Sequence, residues 1–120
     1  MDKVNLDEKF ARFSEHWRPK TAARLNGQEL RLVKIKGEFP WHSHAEAEEM
    51  FFCWKGRFRL EFRDRSVELG PGEVIVVPRG VEHRPVADEE AEILLFEPAE
   101  VVNTGDVVDA RYTAPRGVEI

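Results

Sequence analysis

The clearest period of two in the chain covers residues 57–63, where Phe58, Leu60 and Phe62 alternate with Arg57, Arg59, Glu61 and Arg63. Successive side chains of a strand point to opposite faces, so this pattern predicts a strand with an apolar face on a core and its charges in water. That alternation also makes the basic residues of 55–63 the wet side of an antiparallel sheet rather than a nucleic-acid surface. Residues 28–35, 49–54, 66–69, 73–77, 81–86 and 92–97 read as further strands, rich in β-branched, aromatic or aliphatic positions. Turn chemistry separates them: Asn26-Gly27, Gly37 with Pro40, Asp64-Arg65, Gly70-Pro71-Gly72 and Pro78-Arg79-Gly80, with Pro98 ending the last. Asp88-Glu89-Glu90 is expected as a solvated acidic loop between two strands. One helical signal exists. Leu6, Phe10, Phe13 and Trp17 recur at helical steps, Asn5 and Glu8 are spaced as a cap, and Pro19 limits the far end, which predicts a helix over about 5–18. Its stripe packs on the outside of the domain or against a second subunit. His16, in the same segment, is expected to be a solvated or structural histidine. The tail, 99–120, alternates poorly and is expected to add one strand near 107–112 and otherwise to wrap the barrel.

Short strands punctuated by Gly, Pro and acidic turns indicate an all-β protein, a small barrel or jelly roll with one short N-terminal α-helix. At 120 residues the chain forms a single domain: the helix, a barrel over about 30–98, and a C-terminal strand or tail over 99–120. The formal charge of −5, with both signs interspersed, argues against a nucleic-acid partner. No apolar stretch approaches the ~20 residues that span a bilayer, and the first residues carry no basic-then-apolar leader, so no membrane partner and a cytoplasmic location are expected. The single cysteine, Cys53, excludes an internal disulfide.

The candidate chemistry lies in two stretches, 37–56 and 72–83. On an extended strand His42 and His44 point the same way, which offers two nitrogen ligands from one segment. Glu49 lies an odd number of residues further on and needs a turn, for which residues 45–48 are short and polar enough, before a new strand returns its carboxylate. His83 arrives from a separate strand. Three imidazoles and one carboxylate suit a divalent first-row metal, iron, manganese, nickel, copper, cobalt or zinc, and the lack of a thiolate set argues against a structural zinc clip. Glu46 and Glu48 are near enough to stand in for Glu49, with Glu48 disfavoured by its shorter loop. By alternation Phe51 and Cys53 share the Glu49 face as an apolar wall, and Cys53 is read as a small hydrophobe with a fifth-ligand role as the alternative.

These residues resemble the cupin family, whose first motif is G-x5-H-x-H-x(3,4)-E-x6-G and whose second is G-x5-P-x-G-x2-H-x3-N. His42, His44, Glu49 and Gly56 match the first, with Gly37 one residue nearer to His42 than the motif has it. Gly72, Pro78, Gly80 and His83 match the second, with Ala87 in place of the terminal Asn. The resemblance covers about residues 30–98 and implies a double-stranded β-helix, the cupin jelly-roll barrel. It also implies a metal held by His42, His44, Glu49 and His83, and a homodimer.

Two functions follow as expectations. One is a mononuclear metalloenzyme acting on a small molecule, either an oxygenase on an apolar or phenolic compound or an isomerase on a small carbonyl compound. The other is a non-catalytic module that binds a small ligand, because no general base is legible beyond the ligands themselves. The short form and tail also resemble small bacterial cupins of the mannose-6-phosphate isomerase-like group. That activity calls for a cationic phosphate pocket, and no phosphate loop is recognisable. Arg79 and Arg84, which flank His83, are read as surface residues.

Overall fold

Alternating burial in the strands builds a β-barrel from seven antiparallel strands. The computed structural model describes residues 1–120. The strands are β1 (Lys20–Leu25), β2 (Gln28–Glu38), β3 (Glu49–Lys55), β4 (Phe58–Phe62), β5 (Ser66–Leu69), β6 (Val74–Val77) and β7 (His83–Pro98). They hydrogen-bond in the order β1-β2-β7-β3-β6, while β4 joins β7 to β5. β7 pairs with β4 through His83–Val86 and with β3 from residue 92 onward, so it belongs to both walls and closes the jelly roll. The expected face of β4 is inward: Phe58 and Leu60 are buried and Phe62 packs against the same core. Inside the barrel they meet Ile35, Phe51, Ile93 and Leu95.

The helix is far shorter than 5–18. α1 covers only Leu6–Phe10, capped by the Asn5 side chain, which accepts from Glu8 N at 3.0 Å. Phe10, Phe13 and Trp17 are all buried, but in two different places. Phe10 and Phe13 pack with Leu32 and Leu94 on the outer side of the sheet, whereas Trp17 belongs to the interior. One continuous helix presents one stripe and cannot reach both faces of a sheet. The chain therefore leaves the helix, bridges to Lys34 through His16, and turns inward at Trp17 with φ 64°. Trp17 Nε1 donates to the Lys36 carbonyl at 3.0 Å. His16 is half-buried and its Nε2 lies 2.7 Å from Glu90 Oε2, a structural role.

One element is added and two further expectations change. Residues 20–25 form an edge strand that the sequence pattern did not reveal, because only Thr21 among them is buried. Asp88-Glu89-Glu90 is no loop between strands: β7 runs through it, and these three residues between Ala87 and Ala91 are set against Lys36 alone between Gly37 and Ile35. The exposed acidic side chains bulge outward between two buried alanines, and the bulge bends the strand from one wall to the other. The tail contains no strand near 107–112. It wraps the barrel through turns and ends in a bridge from Glu119 to Thr21.

Candidate metal centre

His42 and His44 do not lie on a strand, as alternation alone would have it. Their segment touches the ladder only at an isolated bridge, in which His42 N donates to the His83 carbonyl at 3.1 Å and His83 N to the His42 carbonyl at 2.9 Å. Two more anchors hold it. Gly80 N donates to the His44 carbonyl at 2.9 Å, and Asp106 grips Ser43 from both sides, accepting from Ser43 N at 2.8 Å and donating its own N–H to the Ser43 carbonyl at 3.1 Å. Residues 45–48 make the expected turn, and Glu49 opens β3. Glu46 and Glu48 point to solvent.

The structure brings the four predicted side chains together: one ligand atom from each of His42, His44, Glu49 and His83 lies within 4.8 Å of every other. All four are buried. His42 Nδ1 lies 2.9 Å from the Pro40 carbonyl and His83 Nδ1 2.8 Å from the Val81 carbonyl. A carbonyl only accepts, so each ring carries a proton on Nδ1, and whenever a ring is neutral its Nε2 lone pair turns toward the cluster. Glu49 Oε1 stands 3.0 Å from His83 Nε2 and 3.3 Å from His44 Nε2, and the latter atom has no hydrogen-bond partner. Several nitrogen and oxygen atoms able to act as ligands thus converge in a buried interior. That donor set fits a small cation, and backbone carbonyls that orient metal-bound imidazoles are the usual supporting arrangement.

The electrostatics follow from burial. Desolvation, reinforced by the neighbouring His83, pushes the His42 imidazole down to about 4, so it is neutral at ordinary pH. Burial alone would raise the Glu49 carboxyl, but in the metal-free cluster hydrogen bonds donated by the His44 and His83 imidazoles outweigh it and hold Glu49 well below the usual carboxylate range; a cation would take the place of those protons. Glu97, fully buried beside Glu49, moves the opposite way. Burial and then the Glu49 charge raise it well above the usual range, against the opposing pull of Arg31. A neutral Glu97 avoids the repulsion that a second buried carboxylate would bring, and its Oε2, like His44 Nε2, has no hydrogen-bond partner within the chain. Arg31 Nη1 donates to Glu97 Oε1 at 2.8 Å, and Arg31 Nε donates to Glu29 Oε1 at 3.0 Å.

This buried Glu29–Arg31–Glu97 network escaped the sequence reading, although a signal was there. Glu29, Arg31, Val33 and Ile35 share one parity on β2, as do Ile93, Leu95 and Glu97 on β7, so the charged members had to point inward with the aliphatic ones. A cavity of about 30 Å³ adjoins His42 and Glu49, walled mainly by Trp17, Phe39, Phe51 and Ile93, with Asn103 of the tail. It has room for a water or a diatomic gas; cavities that hold benzene are nearer ~150 Å³. Cys53 is buried but lies outside the cluster; its thiol reaches the Gly56 carbonyl at 3.4 Å, and burial raises its pKa, so it is a core hydrophobe. Arg84 turns away from the site to Glu61 and Glu38, and exposed Arg79 to the Glu46 carbonyl.

Comparison with known proteins identifies the fold. A family model described as cupin domain matches residues 30–97. Among curated proteins, the uncharacterized protein YdbB of Bacillus subtilis is 30% identical over 80 residues, 66% of this chain and 65% of that protein, just under two-thirds of its length. A cupin-2 domain containing protein from Shewanella frigidimarina has a TM-score of 0.78 at 43% identity, covering 79% of this chain and 93% of that one. Protein NMB1881 from Neisseria meningitidis has a TM-score of 0.75 at 32% identity, covering 81% and 99%.

Proposed function

The chain belongs to the cupin-domain family, and from that premise we propose that His42, His44, Glu49 and His83 hold one divalent first-row metal, iron, manganese, nickel, copper, cobalt or zinc. On this reading the protein is a small-molecule metalloenzyme of the oxygenase or isomerase type. The observation that carries it is the convergence of lone pairs: His42 and His83 have their protons committed to backbone carbonyls, and buried His44 Nε2 has no partner beside the Glu49 carboxylate. Four protein ligands leave open positions on a six-coordinate ion. A metal bound there would supply Lewis-acid polarisation of a substrate oxygen or, with iron or copper, a redox centre. The chain's own part is to keep the space dry and apolar with Trp17, Phe39 and Phe51, and to orient the imidazoles through Pro40 and Val81.

One observation favours a second reading, a non-catalytic module that binds a small ligand: the only titratable side chains lining the cavity are His42 and Glu49 themselves. The two separate experimentally. Protein loaded with iron(II) without oxygen is mixed with candidate phenols or diketones, and dioxygen uptake is followed. Turnover supports the oxygenase, whereas tight ligand binding with no turnover under any metal supports the binder. Elemental analysis of protein purified anaerobically from its host identifies the metal, and metal-free material would overturn the reading.

A cytoplasmic homodimer completes the proposal. No helix is long and apolar enough to cross a membrane. The helical stripe offers no dimer face, since Phe10 and Phe13 are buried within the chain. The outer side of β3 and β6 does: cross-strand pairs Met50–Val76 and Phe52–Val74 leave Val74 and Val76 47% and 48% exposed. Sedimentation of Val76→Lys as a monomer, beside a dimeric parent, is the expected result.

A further inference from the structure

Trp17 lines two spaces. One is the cavity at the metal centre; the other is a surface cleft of about 360 Å³ bounded by residues 16–18, 36–38 and 111–112. Three positive side chains, Arg18, Lys36 and Arg111, line this cleft, and none of them forms an ion pair. The guanidinium of Arg18 is fixed in the wall, donating from Nη1 to the Thr113 carbonyl at 3.1 Å and from Nη2 to the Arg111 carbonyl at 3.4 Å. Arg111 lies over the Tyr112 ring at 5.3 Å, and the Tyr112 and Trp17 rings meet edge to face at 6.3 Å. The histidine and the carboxylate of the cleft are engaged outside this set: His16 faces Glu90 at 2.7 Å, and Glu38 accepts from Arg84 at 3.2 Å.

A protein of formal charge −5 therefore gathers three positive side chains without an ion-pair partner in one concavity, against the single carboxylate of Glu38 in its lining. They come from the N-terminal segment, the end of β2 and the tail, parts of the chain that only the fold brings together. Like charges in a shared cleft repel, and an anion between them removes that repulsion. Guanidinium groups recognise planar oxyanions through paired N–H donors, and the Trp17 and Tyr112 rings provide an apolar floor beside them. The volume lies within the range of small-ligand sites, unlike the cavity at the metal centre.

We propose that this cleft is a binding site for a small organic anion, a carboxylate or a phosphate monoester, separate from the metal centre. The site does not depend on metal, so it is tested on metal-free protein, and its failure would leave the metal assignment untouched. Isothermal titration calorimetry at constant ionic strength uses two probes, inorganic phosphate and benzoate. The expected result is saturable binding of at least one probe, weakened about tenfold or more in the doubly charge-reversed Lys36→Glu, Arg111→Glu protein. Both positions are exposed, so that variant is expected to melt with the parent. Stronger phosphate binding points to a phosphate monoester and stronger benzoate binding to a carboxylate. No binding of either probe to the parent, or equal affinity in a folded double variant, overturns the proposal.

Discussion

His83 Nε2 stands 3.0 Å from Glu49 Oε1, on the ring edge opposite the Nδ1 that faces the Val81 carbonyl at 2.8 Å. A neutral imidazole nitrogen and a carboxylate oxygen are both acceptors. Their contact inside a core is favourable only when a cation or a proton joins them.

Loss of one imidazole should therefore remove metal and metal-dependent stability together. A ligand present at 100 times its dissociation constant adds about 2.7 kcal/mol to folding stability. Added divalent metal is expected to raise the melting temperature of the parent and to leave that of His42→Ala unchanged, with elemental analysis showing little metal in the variant. Equal metal content in the two proteins would count against the ligand assignment.

Acid should destabilise the metal-free protein in a defined window. Burial moves the His42 imidazole from 6.5 to about 4, so between those values the unfolded chain takes up a proton that the folded chain refuses. The contribution of His42 is thus fully present above pH 6.5 and lost as pH falls toward 4, amounting to about 3 kcal/mol. Urea unfolding across this range should show the decline, and His42→Gln should flatten it. A variant as acid-sensitive as the parent would refute the attribution.

The tail's hold on the His-x-His segment can be tested at Gly105. A Cβ there would lie 2.1 Å from the Ser43 carbonyl oxygen and 3.1 Å from His44 Nδ1, at φ +56°. Gly105→Ala should force the two segments apart, lowering stability by about 2 kcal/mol and weakening metal affinity. Gly117→Ala is the control: its φ of +68° carries similar backbone strain, but nothing lies within 4 Å, so stability should fall by only about 1 kcal/mol with metal affinity unchanged. Equal metal affinity in all three proteins would mean that the tail does not position His44.

Glu97 should behave as a neutral acid. Glu97→Gln keeps an oxygen for Arg31 and offers an N–H toward Glu49, so its stability at pH 7 is expected within about 1 kcal/mol of the parent. Glu97→Ala removes one of the partners of buried Arg31 and should cost about 3 kcal/mol. If Gln costs as much as Ala in urea unfolding, Glu97 is ionised and the paired-carboxyl description fails.

Local pattern carried the strands well. The alternation of Phe58, Leu60 and Phe62 and the parity of Glu49, Phe51 and Cys53 depend only on the geometry of an extended backbone, and the buried faces match. The same periodicity misled at the N-terminus, because a helical stripe does not reveal that Phe10 and Trp17 serve cores on opposite sides of a sheet. It misled again at Asp88-Glu89-Glu90, where charge suggests a loop but a bulge keeps one strand whole across the barrel's corner.

By itself the sequence determined the candidate ligand set and the barrel: spaced His42, His44, Glu49 and His83, and turn residues between short amphipathic strands, are local features that need no partner to be read. Only the tertiary structure decided how that set is held and what surrounds it. The Pro40 and Val81 carbonyls that orient the imidazoles, the Asp106 clasp on Ser43, the buried Glu97 beside Glu49 and the cationic cleft on Trp17 all join segments distant in the chain or depend on backbone direction. Such contacts exist only after long-range strand pairing has closed the barrel, and a one-dimensional pattern does not encode which backbone group will face which side chain.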